Sequence, residues 1–109
     1  MTTIRNISIL LTLSLLAGCG APYLKTGDTL AHAGDWETAL IQYKRAAEEH
    51  PESGDAAHKL KVASAKVIEI WTKRGNDSNA EGRLGEAAEW WLKAIELAPQ
   101  DEQKDMAAF

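Results

Sequence analysis

A single cysteine, a shortage of basic residues and no long apolar run define this chain of 109 residues by what it lacks. With Cys19 as its lone thiol, it makes no internal disulfide, so the fold must hold by packing. Twelve Lys and Arg stand against 16 Asp and Glu, a formal net charge of −4. That balance lacks the basic footprint on which nucleic-acid binding rests, and it gives no electrostatic adhesion to anionic lipid. The longest apolar stretch, Ile7–Leu16, is broken by Ser8, Thr12 and Ser14. It falls short of the roughly 20 residues that cross about 30 Å of bilayer hydrocarbon, so a cleaved signal is favoured over a retained helix. Also missing are a Gly-rich phosphate loop, a His-Glu-x-x-His pair, a cysteine pair and a nucleophile beside a base, so catalysis finds no support.

What the apolar stretch does have is its ending, Leu16-Ala17-Gly18-Cys19, after a short, weakly basic lead of Met1–Arg5. The pattern resembles the lipobox of bacterial lipoproteins. Small residues before the thiol let a peptidase approach the backbone. The resemblance implies a diacylglyceryl group on Cys19, cleavage just before it and acylation of the new amine. Two or more acyl chains give stable anchoring where one gives marginal binding, at about 0.8 kcal/mol per buried CH₂. Residues 1–18 are then signal peptide and 19–22 an acylated tether. The mature chain loses Arg5 and carries 16 acids against 11 bases. It is one small domain's worth, near the size where a single core becomes marginal.

An internal repeat follows. Gly34, Trp36, Ala39, Tyr43, Ala46 and Pro51 are matched without a gap by Gly82, Leu84, Ala87, Trp91, Ala94 and Pro99, at an offset of 48. The intervals of three and four describe one face of an α-helix. Glycine permits the turn before it, and proline ends it. Alanine is small because a partner helix crosses close there, and the aromatic fills the space where the helices diverge.

These residues resemble the tetratricopeptide repeat, a helix–turn–helix unit of about 34 residues. Its second-helix signature is met twice, at Ala39/Tyr43/Ala46/Pro51 and Ala87/Trp91/Ala94/Pro99. The first-helix half is less faithful: Tyr23 stands for the motif's tryptophan, Gly27 for its glycine and Thr26 for its leucine. The resemblance covers about Gly20–Pro99. It implies an all-α fold of tetratricopeptide-like antiparallel helix pairs, a fragment of a right-handed α-solenoid.

The offset of 48 exceeds the family's spacing by about 14 residues, all between Pro51 and Gly82. Counting forward from Pro51 makes Leu60 a core position; counting back from Gly82 puts Trp71 and Gly75 at the motif's tryptophan and glycine. Since 14 residues make about four turns, the apolar stripe Leu60, Ser64, Val67, Trp71, with Ala57, Ala63 and Ile70, stays nearly in line. This predicts an elongated third helix from Asp55 to about Arg74. Gly75-Asn76-Asp77-Ser78-Asn79 is a poor helix interior, so the helix either ends near Gly75 or persists to Glu81; the reading favours persistence. The expected helices are about 23–33, 36–49, 55–81 and 84–98, in two pairs, 23–51 and 55–99. Residues 100–109 form a tail or a partial capping helix. Core packing falls to Trp36, Ala39, Leu40, Tyr43 and Ala46 in the first pair. In the second it falls to Leu60, Trp71, Leu84, Ala87, Trp91 and Ala94.

Arrays of this kind usually need three or more units. Two leave a protein that is marginally stable alone, assembled with copies or partners, or part of a longer array. Trp90 replaces Gln42 of the first unit and is a candidate anchor, unless Met106 or Phe109 covers it. Asp28, His32, His58 and Lys66 lie on first helices, where the resemblance implies a groove with polar contacts to a peptide or helix. Two histidines without a third ligand make a poor metal site, so no metal and no cofactor beyond the lipid is expected. Glu48, Glu49, Glu52 and Asp55 read as a solvated turn.

The leading expectation is a membrane-anchored, non-enzymatic scaffold or assembly factor for an envelope complex such as a secretion pore or pilus. Gly20 after the cysteine implies, by the family rule, the periplasmic face of a bacterial outer membrane. The alternatives are a small periplasmic ligand carrier or enzyme accessory, and a truncated repeat protein similar to secretin amino-terminal regions. Tryptophans at 36, 71 and 91 should fill the core, which argues against a roomy pocket.

Overall fold

A computed structural model describes residues 21–100 and 103. The expected signal, the Leu16–Cys19 motif, and Met106 and Phe109 lie outside the described residues. Those described form four helices and no strand: α1 (Ala21–His32), α2 (Trp36–Glu49), α3 (Gly54–Ala80) and α4 (Leu84–Leu97). The fold is all-α and tetratricopeptide-like, with the long third helix that the 14-residue excess predicts. Every boundary lies within two residues of the sequence expectation.

The two turns between paired helices are copies of one another. Gly34 and Gly82 have φ of +81° and +78°, a left-handed conformation that favours glycine. Asp35 N–H donates to the Leu30 carbonyl and Arg83 N–H to the Ser78 carbonyl, each at 2.9 Å. Gly34 donates to Ala31 at 3.0 Å and Gly82 to Asn79 at 3.1 Å. A chain that leaves a helix this way satisfies its last carbonyls and reverses direction at once. Asp35 then caps α2 by accepting from Thr38 N–H at 3.2 Å. Arg83 holds the same place before α4 without a side-chain cap and instead pairs with Glu81 at 2.6 Å and Glu86 at 2.7 Å. Ser53 Oγ caps α3 by accepting from Ala56 N–H at 3.2 Å.

The chain divides into two compact units, Met1–Ala57 and His58–Phe109, whose boundary falls inside α3. In the first, α1 packs on α2. Ala39, Tyr43 and Ala46 are buried on one face of α2, as three- and four-residue spacing requires. In the second, Ala87 and Ala94 are buried on α4 and Ala63 and Val67 on α3. Ala56, not Ala57, takes the inward place at the start of α3: Ala56 is buried and Ala57 exposed.

Candidate interaction surface

Each unit is locked by the same device. In the first, Gly27 of α1 lies flat against the Tyr43 ring, where a Cβ would stand 2.5 Å from Cε1. The Tyr43 hydroxyl donates to Asp28 Oδ1 at 2.6 Å. In the second, Gly75 of α3 lies flat against the Trp91 ring, which a Cβ would overlap outright. Trp91 Nε1–H donates to Asn76 Oδ1 at 3.2 Å. Glycine lets the aromatic approach, and the residue after it accepts the proton of the aromatic's polar tip. Burial, and then the hydrogen bond to the Asp28 carboxylate, pushes the Tyr43 phenol up to about 12.

The contacts also give the direction of packing. Tyr23 sits under Arg45 and Gly27 against Tyr43. Arg74 sits over Trp90 and Gly75 against Trp91. In both units, residues about equally far before and after the turn meet, so the paired helices run antiparallel.

Of the residues expected in the core, Ala39, Tyr43, Ala46, Ala87 and Ala94 are buried, and Trp36, Leu40, Leu60, Trp71 and Trp91 are half-buried. Leu84 departs from its packing role: it is 65% exposed. Its counterpart, Trp36, is half-buried at the same first position of its helix.

Of the candidate partner-binding residues, Asp28 is engaged internally by Tyr43, which corrects its reading as an open groove contact. His32, His58 and Lys66 are exposed. Asp28 and His32 belong to the first unit, His58 and Lys66 to the second. His50 Nδ1 lies 3.1 Å from Glu52 Oε1 in the turn before α3. The Glu52 carboxyl is held below its usual range, first by a backbone N–H and then by that ring. Trp90 is half-buried between two cations: the Arg74 guanidinium is 4.9 Å and the Lys93 ammonium 4.8 Å from its ring. Cations on a tryptophan face are attracted by the ring quadrupole, and their stems shield it from water.

Sequence reasoning missed Asn76 as an acceptor and Arg74 as a cover for Trp90. The first was within reach, because the offset of 48 that aligns the second helices also aligns Gly27-Asp28 with Gly75-Asn76. Beside this device, the second unit carries an open depression of about 300 Å³, lined by Trp71, Lys93, Glu96 and Leu97. Among the described residues, no group of three metal-ligating side chains gathers, and no helix is long and apolar enough to cross a membrane.

No protein-family profile matches the chain, and no solved structure matches it. Two curated relatives do. Each is a photosystem I assembly protein Ycf3, one from Synechococcus elongatus and one from another Synechococcus strain, 35% identical over 68 residues. The match takes in 62% of this chain but 39% of each relative, so the chain spans about two fifths of their length. This finding overturns the location expected from Leu16–Cys19 and Gly20. Proteins named for photosystem I assembly are not outer-membrane lipoproteins, and the periplasmic, outer-membrane placement is withdrawn. The motif is four residues long and speaks of location only through a processing rule, whereas the match extends over 68 residues. Over those 68 residues the chain is similar to proteins named for photosystem I assembly.

Proposed function

We propose that this chain is a non-enzymatic protein-interaction scaffold that assists the assembly of a multi-subunit complex. The observation that carries the reading is the locking device built twice. Tyr43 on Gly27 and Trp91 on Gly75 use their polar tips to fix helix pairs, which makes two tetratricopeptide-like units, 23–51 and 55–99, that present rigid helix faces. The similarity to assembly proteins supports the same role. Acylation of Cys19 is a separate part of the proposal, resting on Leu16-Ala17-Gly18-Cys19 alone. Intact-mass measurement of the purified protein tests it: the bare Met1 chain with an unmodified thiol removes it.

The scaffold role is tested by placing a photo-cross-linking amino acid at Ile41, His58, Lys66 or Lys93 in living cells. The expected result is adducts with a small, reproducible set of proteins from one complex, whose yield falls when the gene is deleted. No adduct at any position, or undiminished complexes in the deletion strain, would overturn it.

A further inference from the structure

The two glycine turns are copies in backbone and differ in the side chains that close them. The offset of 48 carries Ala33 onto Glu81, Asp35 onto Arg83 and Thr38 onto Glu86. In the first turn, Asp35 accepts from Thr38 N–H at 3.2 Å and so caps α2. Ala33, on the other side of Gly34, carries no charge. In the second turn, Arg83 holds the N-cap place and gives α4 no side-chain cap. Its guanidinium reaches both ways instead: Nη1 lies 2.6 Å from Glu81 Oε2 and Nε 2.7 Å from Glu86 Oε2. Three positions have changed together, from a methyl, an acid and a hydroxyl to an acid, a base and an acid.

The exchange replaces a hydrogen bond by charge. A cap satisfies a backbone N–H that the helix itself leaves open, and its geometry is set within four consecutive residues. An ion pair between exposed groups acts differently, through an attraction that dissolved salt screens. All three side chains stand about half in water, at 54% for Arg83, 56% for Glu81 and 46% for Glu86. A cation at a helix N-terminus also meets the positive end of the helix dipole, so Arg83 is tolerated there only while the two carboxylates offset its charge. Glu81 follows α3 and Glu86 lies in the first turn of α4, so one guanidinium ties the two helices across Gly82.

We infer that Glu81, Arg83 and Glu86 form an ionic latch that makes the opening of the second helix pair depend on ionic strength, a dependence the capped first turn does not add. What the latch guards is the seat of Trp91 on Gly75. When α4 leaves α3, the indole loses Asn76 and its ring meets water. The segment from Gly75 to Asn79 is a poor helix by itself, so it opens with α4. The two pairs thus share a backbone design and answer to different conditions. The response is graded rather than all-or-none, because exposed ion pairs contribute little singly.

The test is amide hydrogen exchange of the full chain between about 0.01 M and about 1 M NaCl, over which the screening length falls from about 30 Å to about 3 Å. Protection at 84–97 is read against protection at 36–49 in the same molecule, which removes salt effects common to both pairs. Opening of the second pair relative to the first is expected to rise about threefold, the scale of two exposed ion pairs. Arg83→Gln should raise that ratio about threefold at low salt and remove the response to salt. Arg83→Ser supplies a neutral cap, so it should keep low-salt protection near that of the wild type and also remove the response. The side chain is exposed, so neither variant threatens folding. A ratio that salt leaves unmoved in the wild type overturns the inference, and so does a response that survives Arg83→Gln. Protection lost in Arg83→Ser as far as in Arg83→Gln would overturn it too, since the ion pairs would then not stand in for a cap.

Discussion

Glycine inside a helix is costly, by about 1 kcal/mol relative to alanine, so its presence at 27 and 75 must be compensated by something alanine cannot do. The compensation is the ring laid on each. Gly27→Ala and Gly75→Ala gain helix propensity but drive a methyl into Tyr43 or Trp91, and overpacking of a fixed ring costs about 1–3 kcal/mol. Each is expected to lower stability by up to about 2 kcal/mol. Gly85→Ala, on α4 with nothing within 4 Å of its Cβ, is expected to raise it by about 0.5 kcal/mol. Urea titrations of the three variants check the contrast, and equal effects would remove the packing argument. Tyr43 adds a pH signature. Its folded pKa, about 12, lies above the ordinary value of 10, so the folded chain holds the proton more tightly. The resulting stability is complete below pH 10 and lost as pH rises from there through 12. In Tyr43→Phe that alkaline decline should be smaller, with stability near neutral pH lower by about 1–2 kcal/mol for the missing charge-assisted hydrogen bond. Melting curves at successive alkaline pH values measure both.

Helix α3 shows how tertiary contacts override propensity. Gly75, Asn76, Asp77, Ser78 and Asn79 are weak helix formers, yet each has a local reason to be helical. Gly75 admits Trp91 and Asn76 accepts from its indole. Asp77 pairs with Lys73 one turn back at 2.8 Å, Ser78 is buried, and the Asn79 carbonyl receives the Gly82 turn. Trp91→Ala is therefore expected to fray α3 from Ala80 back to about Gly75 while α1 and α2 keep their protection. Amide hydrogen exchange reads this out residue by residue, and unchanged protection at 75–80 would show that α3 does not depend on α4 there. The same contacts explain what was legible beforehand. Helix pairs, turns and the long third helix followed from alanine, aromatic and glycine spacing, because periodicity reports which face is buried. The depression lined by Trp71, Lys93, Glu96 and Leu97 was not legible, since it depends on how side chains of two helices meet in space. Lys93 lies over Trp90, a contact that spacing along the chain does not reveal. Leu84 was misplaced for a related reason: a position shared by two repeats does not impose equal burial on side chains of different reach.

Across the whole molecule, the fully buried apolar set of the described residues is poor in volume. It consists of Ala39, Ala46, Ala56, Ala63, Ala87, Ala94 and Ala98, with Tyr43 and Val67. A buried methyl removes little apolar area, at about 0.8 kcal/mol per group, whereas Ile41, Leu84 and Leu92 stay 57%, 65% and 61% exposed. Close helix approach through alanine gives good geometry but a shallow free-energy well. The chain is therefore expected to unfold in urea with a free energy at or below about 5 kcal/mol, the low end for folded domains. Val67→Ala should remove about 2 kcal/mol of that, while Leu84→Gln and Leu92→Gln together should change it by less than about 1 kcal/mol. A partner that covers the second unit then supplies what the core does not: at a hundredfold excess over its dissociation constant it adds about 2.7 kcal/mol, a large fraction of the total. An unfolding free energy well above 8 kcal/mol without any partner would contradict the shallow-core argument, whose order of magnitude allows no such value.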